Sequence, residues 1–401
     1  MANAVQDAPA SEEARKLDLR ILLLALATFV LGTDALIVIG VLPTIARELR
    51  VTEGATGQLI TAFALVYGLG GPVLAALTGR WRRSRVMIVA LGAFCVVNIV
   101  SALSPTFAML LATRILGGGI AALISPLAYA MAVALAPPEK RGQALALVLS
   151  GVTVANIVGG PLGTWIGGHV GWRVSFGLIA LVAGIACVIL RMSGLPDSGA
   201  SQMLSLKARL APIGEPRLLL ALAPAFFTVV SFSMIYSYIA PLLQLNLHTS
   251  DISLLLLVLG LGTVAATQIG GRIIDRFGST RLLVAFLVVQ LIVEVSIAYT
   301  TASWMGAALA LFIWGASGPS FFIAQQHRLL SIAPEHINVI TALNSSMNYL
   351  GIACGAVLGG VVLSYMQVTQ LGWIGAGCGL VGMVLLLISF RVSGRGKRTE
   401  V

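Results

Sequence analysis

The chain alternates between long apolar runs and short polar joins. Twelve runs can be counted, roughly at residues 19–42, 56–78, 86–104, 106–135, 143–166, 172–192, 217–243, 251–273, 282–301, 303–331, 339–366 and 371–390. Each is near the ~20 residues that a helix needs to cross ~30 Å of hydrocarbon. The runs are continuous, unlike the alternating ~10-residue strands of a membrane barrel. The pattern therefore predicts an all-α membrane protein with twelve transmembrane helices. The first run is longer than the ~7–15 residues of a signal-peptide core, so it reads as a retained first span.

A second pattern lies over the first. Moving 196 residues along the chain carries Pro138-Glu139 to Pro334-Glu335, Ser150 to Ser346, Gly159 to Gly355 and Gly163 to Gly359. The same offset carries Arg80 to Arg276, Trp81 to Phe277 and Arg85 to Arg281. These matches fall in loops and helix breaks, not in the Leu/Val background. They predict two six-helix repeats, residues 19–192 and 217–390. The Gly-, Pro- and Ser-containing stretch 193–216 reads as a cytoplasmic linker between them. Residues 1–18 and 391–401 read as cytoplasmic tails.

Composition sharpens this picture. The chain of 401 residues is 58% hydrophobic and only 10% charged, with a mean hydropathy of +0.98. A soluble domain is about a quarter charged. The net charge of +10 would suggest nucleic acid in a soluble protein, but here its placement points to membrane orientation. Basic residues gather after the second span (Arg80, Arg82, Arg83, Arg85), after the fourth (Lys140, Arg141), after the eighth (Arg276, Arg281) and in the C-terminal tail. Positive joins face the cytoplasm, which puts both termini there, as an even span count also requires. Anionic lipid is the partner such joins attract, and no nucleic acid is expected. Cys95, Cys187, Cys354 and Cys378 sit inside apolar runs and read as buried hydrophobes. The four histidines are scattered, so no metal site is expected, and no phosphate-binding Gly-x4-Gly-Lys-Ser/Thr loop occurs.

Three charges lie deep in spans: Asp34, Arg114 and Glu294. A charge at the bilayer centre costs at least ~2.5–3.5 kcal/mol, so each is a functional candidate. Asp34 and Arg114 each lie about eight residues, roughly 12 Å, from the same membrane face. Matched depth makes them partners. One reading is a proton-titrating carboxylate with an intermittent cation partner; the other is a static ion pair that fixes packing. Glu294 reads as a packed structural residue or as a second proton site. Gly159, Gly160, Pro161 and Gly163 predict a bend in the fifth span, at a packed interface between the halves. The eleventh span keeps the glycines without the proline and should be straighter.

Several stretches resemble the major facilitator superfamily. Gly79-Arg80-Trp81-Arg82-Arg83-Ser84-Arg85 and Asp275-Arg276-Phe277-Gly278 look like its loop motif after spans 2 and 8, with Gly79 standing where the family usually has Asp. Arg114-Ile-Leu-Gly117-Gly118-Gly119 looks like its span-4 motif. Gly159-Gly160-Pro161-Leu162-Gly163 looks like its span-5 antiporter signature. Gly32-Thr33-Asp34 through Leu42-Pro43 is similar to the first span of the drug:proton antiporter branch, with its bacterial efflux proteins for chloramphenicol and for sugars.

The resemblance implies a proton-coupled exporter of small amphipathic molecules in a bacterial inner membrane. It would work as a monomer, without enzymatic chemistry and with the proton gradient in place of a cofactor. Export or symport of a sugar or nucleoside is the alternative, and a channel or receptor is a more distant one. In that fold spans 1, 4 and 7 line the cavity. Asp34 and Arg114 would then couple protons. Ser231, Met234 and Tyr238 on one face of span 7, with Asn344 and Asn348 one turn apart on span 11, would contact substrate or bond between helices. Arg80, Arg83, Arg85, Asp275, Arg276 and Arg281 would orient the protein or form a gating latch.

Overall fold

The computed structural model describes residues 18–78, 81–195, 216–332 and 337–396. Hydrocarbon offers no partner for backbone N–H and C=O groups, so apolar runs of this length must fold as helices. The first four helices are α1 (Leu19–Leu49), α2 (Glu53–Thr78), α3 (Arg83–Ala102) and α4 (Phe107–Leu135). α5 starts at Arg141 and continues to Gly171, and α6 covers Trp172–Met192. α7 comprises Pro216–Tyr236 and, after a short break, Ile239–Leu247. The rest are α8 (Ser253–Phe277), α9 (Ser279–Thr300), α10 (Trp304–Ile332), α11 (Ile337–Leu363) and α12 (Leu371–Gly396). The linker 193–216, the N-terminal tail and Arg80 lie largely or wholly outside the described residues, while residues 391–396 of the expected C-terminal tail continue α12.

Ten stretches are long and apolar enough to cross a membrane. One of them, Pro138–Met192, has 55 residues, enough for two crossings. It reverses at Gly171, whose φ of 123° is glycine territory. Across that turn the Ser175 hydroxyl donates to the Gly163 carbonyl at 2.8 Å. α2, with 26 residues, packs between α4 and α11 and makes the twelfth crossing.

Capping groups set several ends. The Asp18 carboxylate accepts from Arg20 N, and the Thr106 hydroxyl accepts from Met109 N. Arg50 closes α1 in the left-handed region, and Gly278 (φ 79°) separates α8 from α9. α5 is the irregular helix. Residues 155–159 and 167–171 form π-helical turns on either side of Gly160–Ile166. Gly160 N–H bonds to the Ala155 carbonyl, five residues back. Pro161 has no N–H, and its ring displaces the carbonyl four residues earlier, so a wider turn accommodates it. α11 lacks the proline and runs as one α-helix.

The two sets of six helices repeat one packing plan. α1 packs on α5 and α6, α2 on α4, and α3 on α4 and α6. In parallel, α7 packs on α11 and α12, α8 on α10, and α9 on α10 and α12. Small residues set the close approaches. A Cβ on Gly159 would meet Thr33, one on Gly163 would meet Ile37, and one on Gly167 would meet Val41. At the positions repeating Gly159 and Gly163, Gly355 faces Val230 and Ser233 and Gly359 faces Met234 and Tyr238, and one turn earlier Gly351, where the first half has Ala155, faces Val229. The glycines of α5 thus seat α1 inside the first half. The bend itself also packs on α8 of the second half, the interface the sequence reading expected, while the glycine faces are filled by α1. Regular spacing marks a close approach but does not say which neighbour makes it.

The halves meet chiefly along two seams, and α1 also touches the second segment of α7. α2 lies along α11, from Gly54 against the Gly360 carbonyl to Gly68 against Tyr349. α8 crosses α5 where Gly260 meets the backbone of Asn156 and Ile157. Both seams run from the end that carries the α1–α2 turn to about the middle of the bundle. Tyr67 and Tyr349 close the inner end of the first seam, with ring centroids 4.0 Å apart.

Candidate functional site

The first half buries an ion pair. Arg114 Nη1 donates to Asp34 Oδ2 at 2.7 Å, and Nη2 lies 3.4 Å from the Asp34 carbonyl. Asp34 is 0% exposed and Arg114 2%. The pair therefore faces the interior of the half, not lipid. α1 supplies the acid and α4 the base, at the common depth that residue counting gives. Two rings hold the guanidinium from its other sides. Phe63 of α2 lies 4.4 Å from Arg114 Cζ and Phe176 of α6 lies 5.8 Å away, a cation–π arrangement strengthened by desolvation. Asp34 Oδ1 and Arg114 Nε have no hydrogen-bond partner among the described residues. Each ion keeps bonding capacity that a static, fully satisfied pair would have used.

The second half buries an acid of another kind. Glu294 on α9 is 0% exposed. Gln290 Nε2 donates to its Oε1 at 2.9 Å, and Trp314 Nε1 of α10 reaches the same oxygen at 3.4 Å. Ser231 Oγ of α7 lies 2.5 Å from Oε2. Every partner is neutral. Cation and neutral donors thus distinguish two carboxyls that look alike in sequence.

The five side chains proposed for substrate contact divide. Ser231, Met234, Tyr238 and Asn344 are all buried in helix contacts. Ser231 is bonded to Glu294 and Gly375, and Met234 lies under Gly359. The Tyr238 hydroxyl donates to the Ala356 carbonyl at 2.9 Å, and Asn344 donates to Gln326 at 2.8 Å. In this state these four knit α7 to α11 and α12 and α11 to α10, the interhelical alternative of the sequence reading. A polar side chain in a membrane needs a partner, and a neighbouring helix serves as well as cargo. Asn348 alone of the five is partly exposed, beside Tyr349.

The basic clusters lie at the end away from the closed seams. Arg83 is half-buried while Arg85, Arg276 and Arg281 are exposed, and Arg276 lies 5.4 Å from the Phe277 ring. Asp275 ends α8 in its last turn, but its side chain, like Arg80, lies outside the described residues.

Sequence reasoning missed several contributors. Phe63, Phe176 and Trp314 look like ordinary apolar positions, and only the fold sets them beside charges. Gln290 carried a signal, since it lies one helical turn before Glu294. Arg328 also carried one, as a fourth charge inside an apolar run. It is buried in α10, with Nη2 2.7 Å from Ser389 Oγ and Cζ 4.6 Å from the Phe390 ring.

Comparison with known proteins agrees with this architecture. The family model described as Major Facilitator Superfamily matches residues 24–348 and 221–400. The chain is 32% identical over 374 residues to an uncharacterized MFS-type transporter, YbcL, of Bacillus subtilis, covering 92% of this chain and 95% of that one. It is 30% identical over 380 residues to a probable sugar efflux transporter of Helicobacter pylori strain G27, covering 92% and 94%. The crystal structure of a point mutant of the nucleoside transporter NupG superimposes with a TM-score of 0.73 at 14% identity, over 94% of this chain and 100% of that one. The chain belongs to the major facilitator superfamily of membrane transporters.

Proposed function

We propose that the protein is a secondary active exporter of small amphipathic molecules, driven by protons entering a bacterial cell across the inner membrane. The observation that carries this reading is the buried Asp34–Arg114 pair with its unsatisfied Oδ1 and Nε. Desolvation favours a protonated carboxyl, and a nearby cation favours the carboxylate. A rearrangement that parts α1 from α4 therefore changes whether Asp34 holds a proton, and protonation in turn releases Arg114. The proton gradient is the energy source, no cofactor takes part, and one copy of the chain suffices.

The positive-inside reading puts the basic clusters and both termini in the cytoplasm. The end closed by α2–α11 and α8–α5 is then the outer one, which is the arrangement of an inward-facing state. Arg83, Arg85, Arg276 and Arg281 are then left at the cytoplasmic ends of their helices, beside anionic lipid. Gly159, Gly160, Pro161 and Gly163 let α5 bend while staying seated on α1. Asn348 is the member of the proposed substrate set that stays available to cargo.

Sugar efflux is a second reading. The Helicobacter pylori relative bears that name, and α10 and α11 carry an amide cluster in which Asn344 bonds to Gln326 beside the buried Gln325. Both readings are tested by expressing the protein in a pump-deficient host and measuring export of lipophilic cations, phenicols and labelled sugars, with and without a protonophore. Protonophore-sensitive export of the amphipathic compounds alone supports the first reading. Export confined to sugars supports the second, and export of any class that ignores the protonophore contradicts proton coupling.

A further inference from the structure

The bonds around Glu294 fix where its hydrogen lies. Ser231 Oγ sits 2.6 Å from the Gly375 carbonyl of α12 and 2.5 Å from Glu294 Oε2. A hydroxyl has one hydrogen, and a carbonyl only accepts. At 2.6 Å the contact with Gly375 must hold that hydrogen, since two bare lone pairs repel at this distance. The contact with Oε2 then needs a hydrogen from the carboxyl. Oε1 fits the other half of a neutral acid, because it accepts from Gln290 Nε2 and Trp314 Nε1. No charged group faces the carboxyl among the described residues. The titratable groups on the helices around it are the Cys378 thiol of α12 and, beyond Trp314, the Tyr236 phenol of α7. At the repeated position of the first half stands Asn98, an amide that bonds to the Phe94 carbonyl of its own helix.

We propose that Glu294 is a second proton-binding site, which holds its proton on Oε2 in this state and thereby ties α9 to α7 and α12. When the Oε2–H bond breaks and the proton leaves for water, the carboxylate needs the Ser231 hydrogen. Ser231 then turns from Gly375 to Oε2, and the hydroxyl bond between α7 and α12 is lost. Loading and unloading this proton thus tightens and loosens the second half. The consequence for transport rests on the proton-coupling reading above, whereas the protonation itself stands on the hydrogen bonds alone.

The test is infrared spectroscopy of the purified protein in lipid at neutral pH. We expect a carboxylic-acid C=O band that disappears in Glu294→Gln, persists in Asp34→Asn and shifts in Ser231→Ala. Absence of the band in the wild type, or its survival in Glu294→Gln, overturns the proposal. Glutamine can reproduce every bond of the neutral acid, so Glu294→Gln should keep the wild-type melting temperature, and failure of that variant to fold also overturns it. Loss of transport in Asp34→Asn with no change in the Glu294 band separates the two proton sites. If both variants keep wild-type proton coupling while the band behaves as expected, the coupling reading fails and the protonation stands.

Discussion

Arg114→Leu is expected to cost the protein about 3–5 kcal/mol, because Asp34 is left buried without its cation and must either stay charged or take up a proton with no partner to satisfy it. The site gives the lone carboxylate little relief. Asp34 is fully buried, and Phe63 and Phe176, which face the guanidinium, offer no hydrogen-bond donor. The expected result is a marked drop in melting temperature and in monodisperse yield from detergent extracts. Asp34→Asn combined with Arg114→Leu removes both charges and should recover most of the loss, since a buried pair contributes little net stability once neither ion is left alone. A single Arg114→Leu variant as stable as wild type would mean that Asp34 takes up a proton at little cost or finds another partner.

The second large effect is expected at the α2–α11 seam. A Cβ on Gly54 would lie 2.9 Å from the Gly360 carbonyl. Backbone cannot rotate away as a side chain can, so Gly54→Val must push the helices apart at the closed end. Overpacking of this kind costs about 1–3 kcal/mol. That cost falls on the closed end alone and should shift the ratio of the two end states roughly 5- to 150-fold. Spin labels at Thr52 and Gln367, both exposed near that end, should report a longer distance by double electron–electron resonance. Export should fall while membrane insertion is unchanged. An unaltered distance distribution would show that the seam does not hold the halves together.

The helices were legible because lipid leaves the chain no choice. Apolar runs near 20 residues become spans, and short polar joins become turns, so predicted runs such as 106–135 and 172–192 nearly coincide with α4 and α6. The Asp34–Arg114 pair was legible for a related reason. Charges are costly in hydrocarbon, so two at equal depth on helices that the resemblance places side by side are driven together. What failed was the choice of neighbour. Ser231, Met234 and Tyr238 do share one face, but the spacing could not say whether that face meets cargo or another helix. The break in α7 at Ser237–Tyr238 did have a signal: Pro241, four residues on, has no N–H for the Ser237 carbonyl and its ring displaces that carbonyl, but the run 217–243 was read straight through it. The glycines of α5 announced a close approach, yet α1 and α8 were equally good candidates for it on spacing alone. Glu294 and Asp34 are both acids inside apolar runs, and only the partners brought by the fold, neutral donors for one and a guanidinium for the other, tell them apart.

The role of Asp34 is tested most directly in proteoliposomes, with a pH gradient imposed in the absence of any other ion gradient and transport of an identified cargo followed in wild type and Asp34→Asn. The expected result is gradient-driven accumulation by wild type and its loss in the variant, which keeps downhill exchange of the same cargo and so shows that it is folded and binds. Accumulation by Asp34→Asn at the wild-type level, with the same dependence on the gradient, would contradict the assignment of proton coupling to this carboxyl.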